Sequence, residues 1–144
     1  MQLPSLEISM QPTILIIDDN EDDILLTKMA LSKIAWDFRT EVALSGEAGL
    51  ALLQEGKTAP KVILLDLKMP GMGGIEVLHK IRHDNNLRGI PVVIVTHSNM
   101  ESDEKAAVNA GADSFLHKAA DLDQFKKDIE RVLDGLLGSN APHL

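Results

Sequence analysis

The sequence predicts an α/β fold of five βα units, (βα)5, in which one parallel sheet is covered by helices on both faces. Five apolar runs of strand length alternate with five segments in which apolar residues recur at helical spacing. The clearest run, Val62 to Leu65, is apolar at every position, which is typical of a parallel strand buried on both faces. Right-handed crossovers would join successive strands, and a chain of 144 residues is expected to form one domain.

The first βα unit follows a short N-terminal arm, residues 1–12, that contains two prolines. Thr13 to Ile17 is the first predicted strand, and it runs directly into two aspartates. The segment from Asp22 to Ala35 has helical periodicity and is predicted to be the first helix. The apolar residues available for its buried face are Leu25, Leu26, Met29 and Ile34.

Turn-forming residues mark the second and third units. Phe38 to Ala43 is a weaker strand, and Ser45 is the expected N-cap of a helix that reaches about Gln54. After the third strand, a glycine-rich loop from Gly71 to Gly74 leads to a helix from about Ile75 to His83.

The fourth unit begins with a strand and continues with a capping motif. Pro91 to Val95 is a buried-strand run that ends in Thr96. Ser98 and Glu101 form the S-x-x-E pattern of a capping box, which predicts a helix that continues through Asn109.

The fifth unit ends the predicted domain. Ser114 to His117 is a short strand that leads into Lys118, and Asp121 with Gln124 resembles a second capping box. The last helix places its apolar residues on one side: Leu122, Phe125, Ile129, Val132, Leu133 and Leu136. Residues 138–144 form a C-terminal tail that is expected to fray.

Composition argues against several functional classes. The formal net charge of −8 disfavours nonspecific binding to nucleic acid or to an anionic membrane, and no basic stripe accompanies it. The absence of cysteine excludes disulfides and thiolate metal sites. No apolar run approaches the roughly 20 residues that span a bilayer, and the N-terminus lacks the basic residues of a signal peptide. We therefore expect a cytoplasmic protein with no nucleic-acid or membrane partner.

Chemically active side chains follow four of the five predicted strands: Asp18 and Asp19, Asp66, Thr96, and Lys118. Parallel strands end at one edge of their sheet, so these side chains are expected to converge there. Three neighbouring carboxylates need a cation, and oxygen ligands without His or Cys suit Mg²⁺. A lysine ammonium and a threonine hydroxyl suit phosphoryl oxygens, which makes Asp66 a candidate nucleophile that would form an aspartyl phosphate. Taken singly, each residue could equally be a helix cap, a strand residue or a surface charge.

This pattern resembles the receiver domain of two-component response regulators. The loop from Met69 to Gly74 is similar to that family's M-P-x-M-x-G, and the resemblance covers about Thr13 to Leu137, the expected receiver domain at residues 13–137. It implies a flavodoxin-like, doubly wound sheet with strand order 2-1-3-4-5, as in a chemotaxis receiver. More finely, the segments from Leu65 to Lys68 and from Thr96 to Asp103 resemble regulators that partner bacterial phytochromes.

The resemblance also implies roles for the site residues. Asp66 would accept a phosphoryl group from a phosphohistidine on a sensor histidine kinase or a phosphotransfer protein. The implied Mg²⁺ ligands are Asp18, Asp19, Asp66 and the backbone carbonyl of Lys68. Thr96 and Lys118 would contact the phosphoryl group, and Phe115 occupies the aromatic switch position that responds to Thr96.

Three residues are candidates for tuning the site. The family usually has proline after the lysine, often with a cis bond, and this chain has Ala119. A cis bond to a non-proline residue costs about 2.5–4 kcal/mol, so we predict a trans Lys118–Ala119 bond. Lys68 could hold a phosphoryl group for longer, or could simply extend into solvent. His97 could narrow the entrance or make the site sensitive to pH, or could be an ordinary surface histidine.

We expect a single-domain response regulator with no activity on a separate substrate. Its output would be a protein contact that changes on phosphorylation, through a surface at residues 100–137 that could also form a homodimer. One alternative is a degenerate receiver that is never phosphorylated and acts as an interaction module, which only Ala119 favours. The other is an aspartate-nucleophile phosphatase, which is disfavoured because Lys68 stands where the second acid is needed.

Overall fold

The structure is a computed structural model that describes residues 12–118 and 121–138. Its strands are β1 (Thr13–Ile17), β2 (Arg39–Ala43), β3 (Val62–Leu65), β4 (Val92–Thr96) and β5 (Ser114–His117). Its helices are α1 (Glu21–Ser32), α2 (Gly46–Gln54), α3 (Gly74–Arg82), α4 (Glu101–Asn109) and α5 (Leu122–Leu137). Almost all of the predicted arm and tail lies outside the described residues. Ala119 lies outside them too, so the trans bond before it remains a prediction.

The five strands form one parallel sheet in the order β2-β1-β3-β4-β5, which confirms the predicted fold class and strand order. Ile17, the last residue of β1, pairs with Leu65, the last residue of β3. Leu65 pairs with Ile94 of β4, and Thr96 pairs with His117 of β5. This register brings the C-terminal ends of β1, β3, β4 and β5 to one edge of the sheet.

Apolar residues fill both faces of the sheet, as the uniformly apolar strands predict. Every residue of β3 and of β4 is buried. Alternate residues along β1 pack into two different clusters, with Leu15 and Ile17 in one and Ile14 and Ile16 in the other. The sheet therefore has a hydrophobic core on each face, and polar groups can be placed only at the ends of its strands.

The predicted buried face of α1 was partly wrong. The side chains of Leu25 and Met29 are 57% and 44% exposed, whereas Leu26 is half-buried and Ile34, just beyond the helix, is buried as predicted. The buried residues of the helix itself are Ile24, Thr27, Ala30 and Leu31. The helix begins at Glu21, and its buried stripe runs through positions 24, 27 and 31 at the usual spacing of three and four residues, which leaves Leu25 and Met29 facing outward.

The capping box predicted at Ser98 was also wrong. The N-cap of α4 is Met100, which makes no side-chain cap hydrogen bond. Asn99 and Met100 separate Ser98 from the start of the helix, and the Ser98 hydroxyl instead lies 2.5 Å from the carboxylate of Asp103 and accepts the N–H of Met100 at 3.2 Å. Ser45 does cap α2 as predicted, and it accepts the N–H of Ala48 at 3.0 Å.

The helix α5 begins and packs largely as predicted. Asp121 is its N-cap and accepts the N–H of Asp123, but Gln124 donates to Asp128, so the reciprocal capping box does not form. Its fully buried residues are Phe125, Ile129 and Leu133, and the rest of the predicted apolar side packs around them, half-buried.

Gly74 is the first residue of α3, and it packs against the backbone of the two residues that follow β3. A Cβ atom at this position would lie 2.3 Å from the backbone carbonyl oxygen of Asp66, and the Gly74 N–H already donates to Leu67 at 2.9 Å. Backbone on both sides leaves no flexible side chain that could move away. The glycine therefore allows α3 to pack tightly against the segment that carries Asp66.

Gly74→Ala is expected to lower the free energy of unfolding by about 2–3 kcal/mol, because the added methyl group collides with backbone. Gly135→Ala is the matched control, since nothing lies within 4 Å of a Cβ there and alanine favours a helix. That control is expected to stabilise the protein by roughly 0.5–1 kcal/mol. Urea unfolding of both variants measures the difference, and equal stabilities would contradict the close approach at Gly74.

Candidate functional site

The predicted site residues lie together at the C-terminal edge of the sheet. Among the described residues, five polar or charged side chains are classed as buried: Asp18, Thr27, Asp66, Thr96 and Lys118. Four of these follow or end strands and were singled out from the sequence. Burying charged groups is unfavourable unless they are paired, so their concentration at this edge marks a functional site rather than turn chemistry.

The acidic group at this edge fits a hard divalent cation. Oxygens of Asp18, Asp19 and Asp66 lie within 4.8 Å of one another. Asp18 is oriented by the N–H of Asn20, which donates to its carboxylate at 3.0 Å. All three ligands offer oxygen, and Asp19 is exposed, which leaves room for the water ligands that Mg²⁺ retains. The donor set therefore suits Mg²⁺ or Mn²⁺ and not a metal that prefers thiolate or imidazole.

The ammonium of Lys118 lies among carboxylates. Its Nζ atom is 2.9 Å from Asp18, 3.0 Å from Asp23 and 3.2 Å from Asp66, and its side chain is 1% exposed. A lysine ammonium has three N–H donors, so these contacts occupy all of them. The backbone N–H of Lys118 also donates to the carbonyl of Thr96 at 2.7 Å, which fixes its place beside β4.

Asp23 is a site residue that sequence reasoning missed. It lies in the first turn of α1, where an acidic residue is commonly explained by the helix dipole alone. Its carboxylate contacts both Lys118 and, at 3.0 Å, the Nε2 atom of His97. The available signal was its position four residues after Asp19, close to the end of β1.

The electrostatics of the site follow from burial and from this pairing. The pKa of Asp66 is raised to about 6, with burial as the largest cause; the charge of Lys118 works against the rise, and the charges of Asp18 and Asp19 add to it. Burial alone would lower the pKa of Lys118, but the hydrogen bond to Asp18 and the charge of Asp66 leave it above its ordinary value. Burial would raise the pKa of Asp23, but Lys118 and His97 hold it below its ordinary value. The carboxylates of this site outnumber its ammonium groups, and a bound cation would offset that excess of negative charge.

The two predicted switch residues occupy neighbouring strands. Thr96 is 1% exposed, and its Oγ1 atom accepts the N–H of Ser98 at 3.1 Å, so its own proton is available for donation. Phe115 is half-buried and packs against one of the two core clusters. The register places Phe115 beside Ile94, two residues before Thr96 along β4.

Two of the three tuning candidates line the same cavity as Asp66. This cavity of about 260 Å³ is bordered by Asp19, Asn20, Asp23, Asp66, Lys68, Thr96, His97 and Ser98. Lys68 is 66% exposed, and its Nζ atom lies 3.4 Å from Asp103 in α4. His97 is also mostly exposed, yet it is bound to Asp23 and is therefore more than an isolated surface histidine. The third candidate, Ala119, lies outside the described residues.

Comparison with known proteins identifies the family. A family model described as the response regulator receiver domain matches residues 14–130. The chain belongs to this family. The probable methanogenesis regulatory protein FilR2 of Methanothrix harundinacea is 32% identical over 131 residues, which cover 88% of this chain and 84% of that protein. Response regulator Rcp1 of Synechocystis sp. is 32% identical over 128 residues, which cover 85% of this chain and 84% of that protein.

Solved receiver structures share the fold. The phosphorylated cyanobacterial phytochrome response regulator RcpA superposes with a TM-score of 0.81 at 28% identity, covering 92% of this chain and 98% of that one. The Mn²⁺-bound form of Rcp1 superposes with a TM-score of 0.78 at 30% identity, covering 89% and 96%. Some other relatives are longer, and the chain spans 49% and 31% of the lengths of two of them.

Family membership establishes the general chemistry of this edge. Receiver domains act in two-component signalling, interact with histidine kinases and bind Mg²⁺ or Mn²⁺ at an acidic pocket. The acidic group of Asp18, Asp19 and Asp66 fits that pocket. The family is mostly a non-enzymatic signalling family. Of the helices in the described part of the chain, none is long and apolar enough to cross a membrane.

Asp66→Asn is expected to stabilise the metal-free protein near neutral pH. The folded-state pKa of about 6 lies above the ordinary value of 3.8, so the folded state binds the Asp66 proton more tightly than the unfolded chain does. The contribution of Asp66 therefore favours folding at acidic pH and is lost as the pH rises through about 6. Near neutral pH, removing this charge should add about 1–2 kcal/mol to the free energy of unfolding, after allowance for screening.

Thermal unfolding in a chelator at about pH 7.5 and about pH 4.5 measures this effect, and the gain should shrink at the lower pH because Asp66 is then protonated. Asp22→Asn, an exposed aspartate in the same region, is the control and should show no such dependence. An Asp66→Asn gain that is equal at both values of pH would contradict the raised pKa.

Proposed function

We propose that this chain accepts a phosphoryl group from a sensor histidine kinase on Asp66 and then signals through altered protein contacts. The observation that carries this proposal is the buried contact of 3.2 Å between the Lys118 ammonium and the Asp66 carboxylate, beside two further aspartates. The Lys118 ammonium could therefore stabilise the negative charge on a phosphoryl group as it is transferred to Asp66. The neighbouring aspartates could bind a metal ion.

The proposed transfer uses groups that are already in place. An oxygen of Asp66 bonds to phosphorus as the P–N bond of a phosphohistidine breaks, and the bonding pair stays with the imidazole nitrogen. With a pKa of about 6, Asp66 is mostly ionised at neutral pH, as a nucleophile must be. Lys118 exchanges a carboxylate contact for a phosphoryl oxygen, and the hydroxyl of Thr96 donates to another.

Mg²⁺ would be held by Asp18, Asp19, Asp66 and the backbone carbonyl of Lys68. When bound, the ion offsets negative charge on the oxygens of the phosphoryl group during transfer. The support for this assignment is the acidic group itself and the Mn²⁺ in the related Rcp1 structure.

The kinase partner is proposed to be of the phytochrome type, acting in the cytoplasm. RcpA is a phytochrome response regulator, and the bacteriophytochrome response regulator RtBRR is 33% identical with a TM-score of 0.74. This similarity supports a shared class of kinase. A phosphotransfer protein that carries a phosphohistidine would present the same chemistry to Asp66.

The output surface is proposed to lie at residues 100–137, with Thr96 and Phe115 as the switch. The outer side of α5 carries ion pairs within the helix, including Lys126 with Glu130 at 2.8 Å. These charges could rearrange onto a partner or onto a second copy of the chain, which would make a homodimer.

Phosphotransfer profiling tests the proposal directly. Purified histidine kinases of several sensor classes, each labelled with radioactive phosphate, are mixed with the chain and Mg²⁺. Rapid transfer from a phytochrome-type kinase is expected for the wild type, and none for Asp66→Asn, because the amide is not a nucleophile. Asp22→Asn, an exposed aspartate of α1, is the matched control and should accept label at the wild-type rate.

Two results would contradict this proposal. Label that persists in Asp66→Asn would place the phosphoacceptor elsewhere. A folded wild type that accepts no label from any donor would instead favour the interaction module that functions without phosphate.

Lys68→Ala tests the proposed tuning role. The side chain of Lys68 is 66% exposed, so its ion pair with Asp103 is weakened by solvent and the ammonium can turn towards a phosphoryl group on Asp66. Loss of that charge is expected to speed autodephosphorylation by roughly threefold to tenfold. Decay of radiolabelled protein after donor removal measures the rate, with Lys80→Ala on the exposed side of α3 as the control. Equal decay rates in all three proteins would remove Lys68 from the tuning residues.

A further inference from the structure

The contacts around Lys118 support a role for Asp23 that the proposed function does not include. We propose that Asp23 is a positioning residue for phosphoryl transfer, and that it anchors the Lys118 ammonium while Asp18 and Asp66 engage the metal and the phosphoryl group. This inference rests on the proposed phosphorylation of Asp66.

Asp23 differs from the other two carboxylates that contact Lys118. Asp18 and Asp66 belong to the acidic group whose oxygens lie within 4.8 Å of one another. Asp23 is outside that group, although its contact with the ammonium, at 3.0 Å, lies between theirs of 2.9 Å and 3.2 Å. A metal would therefore draw on Asp18 and Asp66 and leave Asp23 as the dedicated counter-ion of Lys118.

Local structure fixes the carboxylate of Asp23. Its backbone N–H donates to the side chain of Asn20 at 2.9 Å, in the N-cap of α1. One carboxylate oxygen accepts from Lys118, and the other lies 3.0 Å from the Nε2 atom of His97. The side chain is 16% exposed, and the positive end of the helix dipole favours its ionised form. Asp23 is thus an ordered anion rather than a mobile surface group.

The same carboxylate connects the two groups that would bind the phosphoryl oxygens. His97 directly follows Thr96, and the Lys118 N–H donates to the Thr96 carbonyl. His117 in turn approaches the carbonyl of His97 at 2.9 Å. Asp23 therefore links the end of β4 to the lysine that follows β5, and one carboxylate on α1 holds both sides of the pocket.

Phosphorylation changes the other contacts of Lys118 more than this one. The ammonium has three donors and all three are occupied, so a phosphoryl oxygen must displace an acceptor. The Asp66 oxygen that bonds to phosphorus would no longer be a carboxylate oxygen, and Asp18 would share its charge with a bound metal ion. These two contacts weaken, the contact with Asp23 persists, and the ammonium turns about it towards the new oxygen.

A second role for Asp23 would give the opposite result. If it acted only as one more negative charge near the pocket, it would repel an anionic phosphoryl donor. Its removal would then speed phosphorylation. The direction of the change in rate therefore separates anchoring from repulsion.

The test compares Asp23→Asn with Asp22→Asn. Both remove one negative charge from the first turn of α1, but Asp22 is exposed, and no hydrogen bond or ion pair of its carboxylate is seen. Phosphorylation of the full chain by radiolabelled acetyl phosphate is followed over a range of donor concentrations with Mg²⁺. Asp23→Asn is expected to lower the maximal rate of phosphorylation by roughly tenfold. The acetyl phosphate concentration at which the rate is half-maximal should change little.

Three further measurements separate positioning from general damage. Melting temperature reports folding, and Mg²⁺ affinity, measured by titration calorimetry, is expected to stay within about twofold because Asp23 is not a ligand. Asp23→Glu, which keeps the charge, is expected to recover part of the lost rate. In a Lys118→Ala background, Asp23→Asn should have no further effect, because both residues act through one ammonium.

The outcomes distinguish this inference from the proposed function. If the wild type takes up no label, or if Asp66→Asn takes up as much label as the wild type, both the proposed function and the role of Asp23 are overturned. If labelling depends on Asp66, then an Asp23→Asn rate that equals or exceeds that of Asp22→Asn overturns the anchoring role alone. So does an undiminished effect of Asp23→Asn in the Lys118→Ala background. Should Asp23→Asn fail to fold, Asp23→Ser provides the same comparison.

Discussion

The buried ammonium of Lys118 and the three carboxylates around it form the interaction on which the rest of this edge depends. A lysine that is 1% exposed is tolerated only when its charge is paired and hydrogen-bonded. Its partner Asp18 lies 100 residues away in sequence, and Asp66 lies 52 residues away. The parallel sheet brings these residues together by ending β1, β3 and β5 at one edge. Fold and site are therefore coupled, because the sheet brings these charges together and their pairing makes the burial of Lys118 tolerable.

The balance of charge in this pocket favours a cation and then a phosphoryl group. Four aspartates, Asp18, Asp19, Asp23 and Asp66, outnumber the ammonium groups of Lys118 and Lys68 in this pocket, so its carboxylates carry an excess of negative charge. The pKa of Asp66 is raised mainly by burial, and the neighbouring charges of Asp18 and Asp19 add to the rise. A divalent ion would offset this excess and make the pocket receptive to an anionic group. Under the proposed function, electrostatics would favour binding of the cation before transfer of the phosphoryl group.

The sequence predicts much of this because a parallel strand fixes where its last residue lies. Strands such as β3 are recognisable from four consecutive apolar residues, and the polar residue that follows each of them must lie at the shared edge. Helix phase is less constrained by sequence. The outward-facing Leu25 was predicted to be buried because leucine fits an apolar stripe in more than one phase. Asp23 was missed for a related reason, since its role depends on how α1 docks over the sheet edge.

The site is also connected to α4, the helix that packs least firmly. Of its nine residues, all of them described, only Ala107 is buried. Its first turn is joined to the pocket through Ser98, whose N–H donates to Thr96 and whose hydroxyl lies beside Asp103. A second connection runs from Asp103 to Lys68, which lines the cavity around Asp66.

These two connections explain how a local change in charge could reach a distant surface. A phosphoryl group would compete for both the hydroxyl of Thr96 and the ammonium of Lys68, and each of these leads to Asp103. The rest of α4 offers little apolar packing to resist a shift, so its position would follow the occupancy of the pocket. Under the proposed function, the buried strands would hold the phosphorylation site in place, and the weakly packed helix α4 would respond to its phosphorylation.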